Sequence, residues 1–190
     1  GLETVSSQID ASGMTHFRTD VWSADFTTFK VKLVDFGADG AFGGGDDVEH
    51  EITIESPAQG EWVSLDIPLT DFTGLTTRSN IAQLIYVGAP SGENTVFIDN
   101  IYFYNDGNGG GPIGGTGPTS FPVDFETPET GGSSKWDVFE ADTPPLEVIA
   151  NPDVSGANTT ATVAKFTAPL GGADYAGTVT QLSQAFTLDA

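Results

Sequence analysis

Four residues of one short run carry the most chemistry in this chain. Between Met14 and Trp22 the sequence reads M-T-H-F-R-T-D-V-W. With a period of two, Phe17 and Val21 fall on one face and His16, Arg18, Asp20 and Trp22 on the other. A flat indole beside a cation, a carboxylate and an imidazole can seat a sugar. The C–H face of a pyranose packs on the ring, and the polar neighbours bond its hydroxyls. The plainer alternative tucks Trp22 into the edge of the core. Trp62, ahead of Val63-Ser64-Leu65-Asp66-Ile67, reads as a core or rim anchor.

Catalytic signatures are missing. Closely spaced carboxylates on one strand, in the order E-x-D-x-(x)-E, do not occur, and Asp46-Asp47-Val48-Glu49 lacks the flanking strand pattern. Neither G-x-S-x-G nor H-E-x-x-H is present. The only histidines, His16 and His50, read as single polar surface groups. The sequence therefore points away from an enzyme. Without cysteine, disulfides and thiolate metal sites are excluded. The acidic stretch from Asp35 to Glu51 lacks the fixed spacing of an EF-hand loop and reads as a solvated hairpin.

A formal net charge of −21, from 27 acidic and 6 basic residues, repels phosphate backbones and anionic headgroups. Nucleic acid is an unpromising partner. No apolar run approaches the ~18 residues of a membrane span, so insertion is not expected. Neutral sugars and divalent cations remain open as partners, and the acidity also suits a secreted protein in salty water.

The elements that must position these residues are strands. Phe29–Leu33, Val48–Ile54 and Trp62–Ile67 alternate, while Ile81–Val87 and Thr95–Tyr104 are richer in β-branched and aromatic residues. Turn signals separate them, and no stretch has a helical period with caps. Asp71–Leu75 has room for one 3₁₀ turn. Residues 106–120 form a Gly-rich linker with two prolines, and strands resume from Phe121. The fold class expected is all-β, an antiparallel sandwich.

Two stretches resemble a known group. Ile9–His16, Asp20-Val21-Trp22, Trp62, Asp66-Ile67-Pro68-Leu69, Phe72 and Val96–Tyr104 are similar to the later half of a non-catalytic β-sandwich module. Such modules accompany family-16 glycoside hydrolases (laminarinase-like enzymes) and occur in surface glycan-binding proteins of marine Bacteroidetes. Pro122–Glu126, Trp136, Ala150-Asn151-Pro152, Ser155–Thr159 and Tyr175-Ala176-Gly177 resemble the opening half of a related module.

The resemblance implies a galactose-binding-like jelly roll and an extracellular or cell-surface bacterial protein with further modules. It also implies a β-linked, mostly neutral polysaccharide as ligand, β-1,3-glucan of the laminarin type first. Residues 1–105 would be the later part of one module and 121–190 the opening part of a second. The two would be cut from a tandem array, or would complete one sandwich in permuted order; the linker, spanning ~20–24 Å, is long enough for that. The resemblance adds Trp136 and Tyr175 as candidate sugar-facing rings. It further implies a structural calcium ion held by Asp99, Glu126 and neighbouring Asp124, with carbonyls at Ser134 or Lys135. Trp136 would alternatively pack beneath that ion. A calcium-stiffened structural or adhesin repeat is the other function consistent with these halves.

Overall fold

The protein was analysed as a computed structural model that describes residues 1–4, 8–90, 94–107, 119–127, 130–132, 136–139, 146–168 and 177–180. Twelve strands account for its regular structure: β1 Leu2–Glu3, β2 His16–Ser23, β3 Thr28–Asp35, β4 Val48–Glu55, β5 Trp62–Pro68, β6 Ile81–Ala89, β7 Asn94–Tyr104, β8 Thr119–Val123, β9 Trp136–Phe139, β10 Glu147–Ala150, β11 Thr162–Ala168 and β12 Gly177–Thr180. The short Asp71–Leu75 segment is a pair of turns, closed by Asp71 N–H to the Pro68 carbonyl and Leu75 N–H to that of Phe72, instead of a 3₁₀ helix.

The strands form two six-stranded sheets, an all-β sandwich. One sheet runs β4-β3-β6-β1-β12-β9; the other runs β10-β11-β7-β2-β5, with β8 also on β7. All pairings are antiparallel except β1 with β12. Strands from both sides of the linker enter both sheets. On the edge of β7 away from β2, β11 takes Asn94–Ile98 and β8 takes Ile101–Tyr104. The terminal strand β1 sits between β6 and β12.

Burial of apolar side chains on the facing sides drives this layering. Phe17, Ile98, Ile101 and Phe103 meet Val31, Leu33, Ile81 and Leu84, each at most 1% exposed. Phe17 is the hinge of the aromatic core, 5.1 Å from the Phe103 ring and edge-on to Phe72.

Strand β7 does not alternate simply. Arg18 pairs with Tyr102, but Asp20, two residues on, pairs with Asp99, three residues back. The extra residue is a β-bulge at Asp99-Asn100, where Asn100 takes φ 48°, a left-handed conformation that asparagine tolerates. Before the bulge, Val96 and Ile98 face the core; after it, Ile101 and Phe103 do. Tyr102 and Tyr104 therefore emerge on the same outer face as Phe97 and Asp99.

Because β7 binds strands from both sides of the linker, the sandwich is expected to unfold in a single cooperative transition. A chain ending at Asn105 strips β8 and β11 from β7 and β12 from β1. It is expected to show no cooperative melt in far-ultraviolet circular dichroism. Two separated transitions in the full chain, or a native-like melt of the fragment, would contradict this.

Candidate functional site

The outer face of the β10-β11-β7-β2-β5 sheet is built in rows. Register places Pro68, His16 and Tyr104 in one row and Asp66, Arg18 and Tyr102 in the next. Ser64, Asp20 and Asp99 follow, and then Trp62, Trp22 and Phe97. The last row continues through Lys165 on β11 to Glu147 on β10, a pair 2.9 Å apart. His16, Arg18, Asp20 and Trp22 thus share the face opposite Phe17 and Val21.

Aromatic rings line three of the rows. Trp22 is half-buried and meets Phe97 edge-on at 5.4 Å. His16 stacks on Tyr104 at 5.1 Å, and Tyr104 lies 5.8 Å from Tyr102. The Tyr104 hydroxyl donates to both Asp66 oxygens, at 2.8 and 2.9 Å. Alternation without the bulge places Tyr102 and Tyr104 in the core, so reading the sequence by period alone misses both. The signal was present: apolar positions 96 and 98 fall out of phase with 101 and 103 across Asp99-Asn100.

Between the aromatic rows lies a buried pair of carboxylates. Asp20 and Asp99, both 0% exposed, pair across β2 and β7. Asp20 accepts from the Ser64 hydroxyl at 2.5 Å and from Asn100 Nδ2 at 2.7 Å, with Arg18 Nη2 3.7 Å away. Asp99 accepts from Asn100 N–H at 2.8 Å, Asn158 Nδ2 at 2.7 Å and the Thr160 hydroxyl. Burial raises both above the usual carboxylate range, against the pull of these donors. Asp99 reaches about 7, with the Asp20 charge adding to the rise.

The segment between β10 and β11, residues 151–161, crosses this face. At one end Trp62 Nε1–H donates to Asn151 Oδ1 at 3.2 Å and to the Asp153 carbonyl at 2.8 Å. At the other, Asn158 and Thr160 bind Asp99. Trp62 lies on β5 and Asp99 on β7, so the segment passes over β2. Trp62, 6% exposed, anchors this crossing. Asn158 begins an N-x-T glycosylation pattern, but it is 1% exposed and its amide is committed to Asp99.

Three polar atoms of this face are buried without a hydrogen-bond partner: Arg18 Nε, Trp22 Nε1 and the Tyr102 hydroxyl. Tyr102 is 5% exposed, and burial pushes its phenol up to about 12, with Arg18 lowering it and Asp20 and Asp66 raising it. Unmade hydrogen bonds at buried donors are costly.

The other candidates lie elsewhere. Tyr175, Ser134 and Lys135 are outside the described residues. Trp136 pairs its backbone with Thr180 in the opposite sheet, and its side chain is outside the described residues. Glu126 Oε1 accepts from Thr162 N–H at 2.7 Å and its hydroxyl at 3.1 Å, and Asp124 accepts Glu126 N–H at 3.0 Å. Asp99 and Glu126 thus bind neighbouring residues of one segment, yet each faces protein donors. Among the described residues no group of three or more acidic or imidazole side chains is arranged to hold a metal.

The acidic 36–47 loop caps its own turns. Asp46 accepts from Ala38 N–H at 2.6 Å, Asp39 from Ala41 N–H at 2.9 Å and Asp47 from Gly43 N–H at 2.7 Å. Gly37, at φ 65°, is required there, since a Cβ would lie 2.4 Å from the Asp46 carboxyl. Among the described residues Arg18, Lys30, Lys32 and Lys165 stand in ion pairs.

Comparison with family models, with curated proteins and with solved structures finds no match to this chain.

Asp99 makes stability depend on pH. An unfolded aspartate titrates near ~3.9. In the fold Asp99 holds its proton to about 7. Its contribution is therefore complete below the unfolded value and is lost as pH rises through the folded one. The melting temperature is expected to fall between pH 5 and pH 8, and Asp99→Asn to flatten that fall. An equally steep profile in the variant would show that Asp99 is not its source.

Proposed function

We propose that this protein is a non-catalytic binding module for a neutral β-linked polysaccharide, with β-1,3-glucan of the laminarin type the first ligand to try. One observation carries the reading. The part-exposed rings of Trp22 and Phe97, edge-on at 5.4 Å, stand on the same sheet face as the polar side chains of His16, Arg18 and Asp66. Aromatic surface beside a few convergent donors suits sugar recognition.

Binding without bond cleavage is supported by the state of the carboxylates. Asp20 and Asp99 are closed off from solvent and held by protein donors. Asp66 on the same face holds the Tyr104 hydroxyl. Neither Asp20 nor Asp99 stands free to act as acid, base or nucleophile. A neutral ligand is favoured over an anionic one because Asp20, Asp66 and Asp99 surround the donors in a chain of net charge −21. An acidic, cysteine-free sandwich suits an extracellular or cell-surface setting within a larger multimodular protein. No part of the reading is routed through calcium, because the described donor set does not converge.

Laminarin in a native affinity gel is expected to retard the protein, and Trp22→Ala to weaken binding by tenfold or more, about 1.4 kcal/mol per decade. Retardation unchanged in Trp22→Ala would remove this face as the site. No retardation on any neutral glucan would remove the reading itself.

A further inference from the structure

We infer that the flank of the sandwich between β4 and β5 is a docking site for an extended polypeptide segment of another protein, one that brings an apolar side chain between basic neighbours. β4 ends one sheet and β5 ends the other, so each has a single partner strand among the described residues, β3 and β2. The two sheets do not close on each other here. Val21, Phe29, Ile54, Val63, Leu65 and Val96 line a pocket that opens to solvent and holds, with its mouth, about 300 Å³ of free space. Ser23 is the one polar residue of the lining, and its Oγ already accepts the N–H groups of Asp25 at 3.3 Å and Phe26 at 3.2 Å. The pocket therefore favours an apolar occupant. It is shallow, and suits one side chain better than a lipid tail.

Both ends of the flank are closed by the chain itself. At one end the 56–61 turn brings Pro57 and Ala58 to the pocket. It is tied down by Ser56 N–H to the Thr27 carbonyl at 2.9 Å, Gln59 Nε2 to that of Phe26 at 2.9 Å and Gly60 N–H to that of Ser23 at 2.8 Å. At the other end Phe72 packs edge-on between Phe17 and His50, and Gly74 N–H donates to His50 Nδ1 at 3.1 Å. Between these closures Ile52, Ile54 and Val63 face the core yet stay only partly buried.

Edge strands present N–H and C=O groups that an added strand can pair. A segment laid along the flank sends alternate side chains inward and outward, and one inward side chain meets the pocket. Charge defines its neighbours. Asp25, Glu55 and Glu61 are exposed, lie within two residues of pocket-lining positions, and stand in no ion pair among the described residues. Lys30, beside Phe29 in the sequence, is taken by Glu51 at 2.7 Å. In a chain of net charge −21 a second copy brings the same acidic rim and is repelled. A partner with Lys or Arg on either side of its apolar residue is attracted.

The full chain is titrated into a fluorescently labelled peptide, Lys-Val-Lys-Val-Lys-Val-Lys, and followed by anisotropy at about 0.15 M salt, where charges more than ~8 Å apart are screened. Two control peptides carry Ser in place of Val, or Glu in place of Lys. The Lys-Val peptide is expected to bind at least about tenfold more tightly than either control. Ala58→Phe, which fills the mouth from an exposed turn position, is expected to keep its melting temperature and lose about tenfold in affinity. Glu61→Lys is expected to weaken binding severalfold. Glu147→Lys, the same charge change on the far edge strand β10, is expected to bind as wild type.

Equal binding of the Lys-Ser peptide, or wild-type affinity in both Ala58→Phe and Glu61→Lys, would reduce the contact to charge alone and overturn the inference. No binding of the Lys-Val peptide would do the same. So would a wild-type dimer in sedimentation that Ala58→Phe returns to monomer, since a second copy would then be the occupant. Should Ala58→Phe melt at a lower temperature, Glu61→Lys and the Lys-Ser peptide together decide the matter.

Discussion

The arrangement of the candidate site depends on one extra residue. The bulge at Asp99-Asn100 lets β7 keep both Ile98 and Ile101 in the core, three positions apart where a regular strand allows two or four. Everything C-terminal of it is turned over. Tyr102 and Tyr104 face outward beside Arg18 and His16, and Phe103 enters the core against Phe17. A strictly alternating β7 would bury two tyrosines and expose Ile101 and Phe103. The hydrophobic cost of that alternative, of order 1.5–3 kcal/mol for each large apolar side chain left in water, pins the bulge in place. The outer aromatic rows are thus enforced by the core beneath them.

The bulge also explains why two carboxylates tolerate burial. An isolated buried charge is costly, and a pair of like charges more so. Asn100, twisted into the left-handed region, supplies its backbone N–H to Asp99 and its side-chain amide to Asp20. Asn158 and Thr160 complete the shell of Asp99, and Ser64 that of Asp20. One residue therefore bridges both carboxylates, and the segment from 151 to 161 is drawn over the sheet to reach Asp99. Burial raises Asp99 to about 7, so the two carboxylates do not both carry full charge below neutral pH.

Much of the fold was legible in the sequence, because period-two patterning reports burial directly. The runs Phe29–Leu33, Val48–Ile54, Trp62–Ile67 and Ile81–Val87 lie within strands, and Phe29, Val31 and Leu33 point inward as alternation has them, whereas Ile81 and Leu84 share the core across a register shift. Leu2–Glu3 was missed, as two residues carry no period; its place is given by its neighbours β6 and β12. On β2 the outward set His16, Arg18, Asp20 and Trp22 could be read because β2 is regular against β5 over its whole length. Tyr102 and Tyr104 could not, since a period fails at a bulge. The crossing of residues 151–161 was equally hidden. It rests on hydrogen bonds between residues 59 to 91 positions apart, and no local pattern encodes them. The carboxylates Asp124 and Glu126 were grouped with Asp99 by resemblance alone; in space each answers to different protein donors.

The two sheet faces differ in how their outward polar groups are satisfied. On the opposite sheet, outward side chains satisfy each other: Lys30 with Glu51 at 2.7 Å, Lys32 with Glu49 at 3.0 Å, Thr28 with Glu55 at 3.3 Å. Among the described residues that face carries a ladder of cross-strand pairs. The β5-β2-β7 face differs in kind. Its acceptors are saturated by protein donors, while three donor atoms are left over and removed from water. Folding alone gives no reason to retain such atoms, since phenylalanine at 102 would bury the same ring without a stranded hydroxyl. Such unmet donors carry a cost in the folded protein.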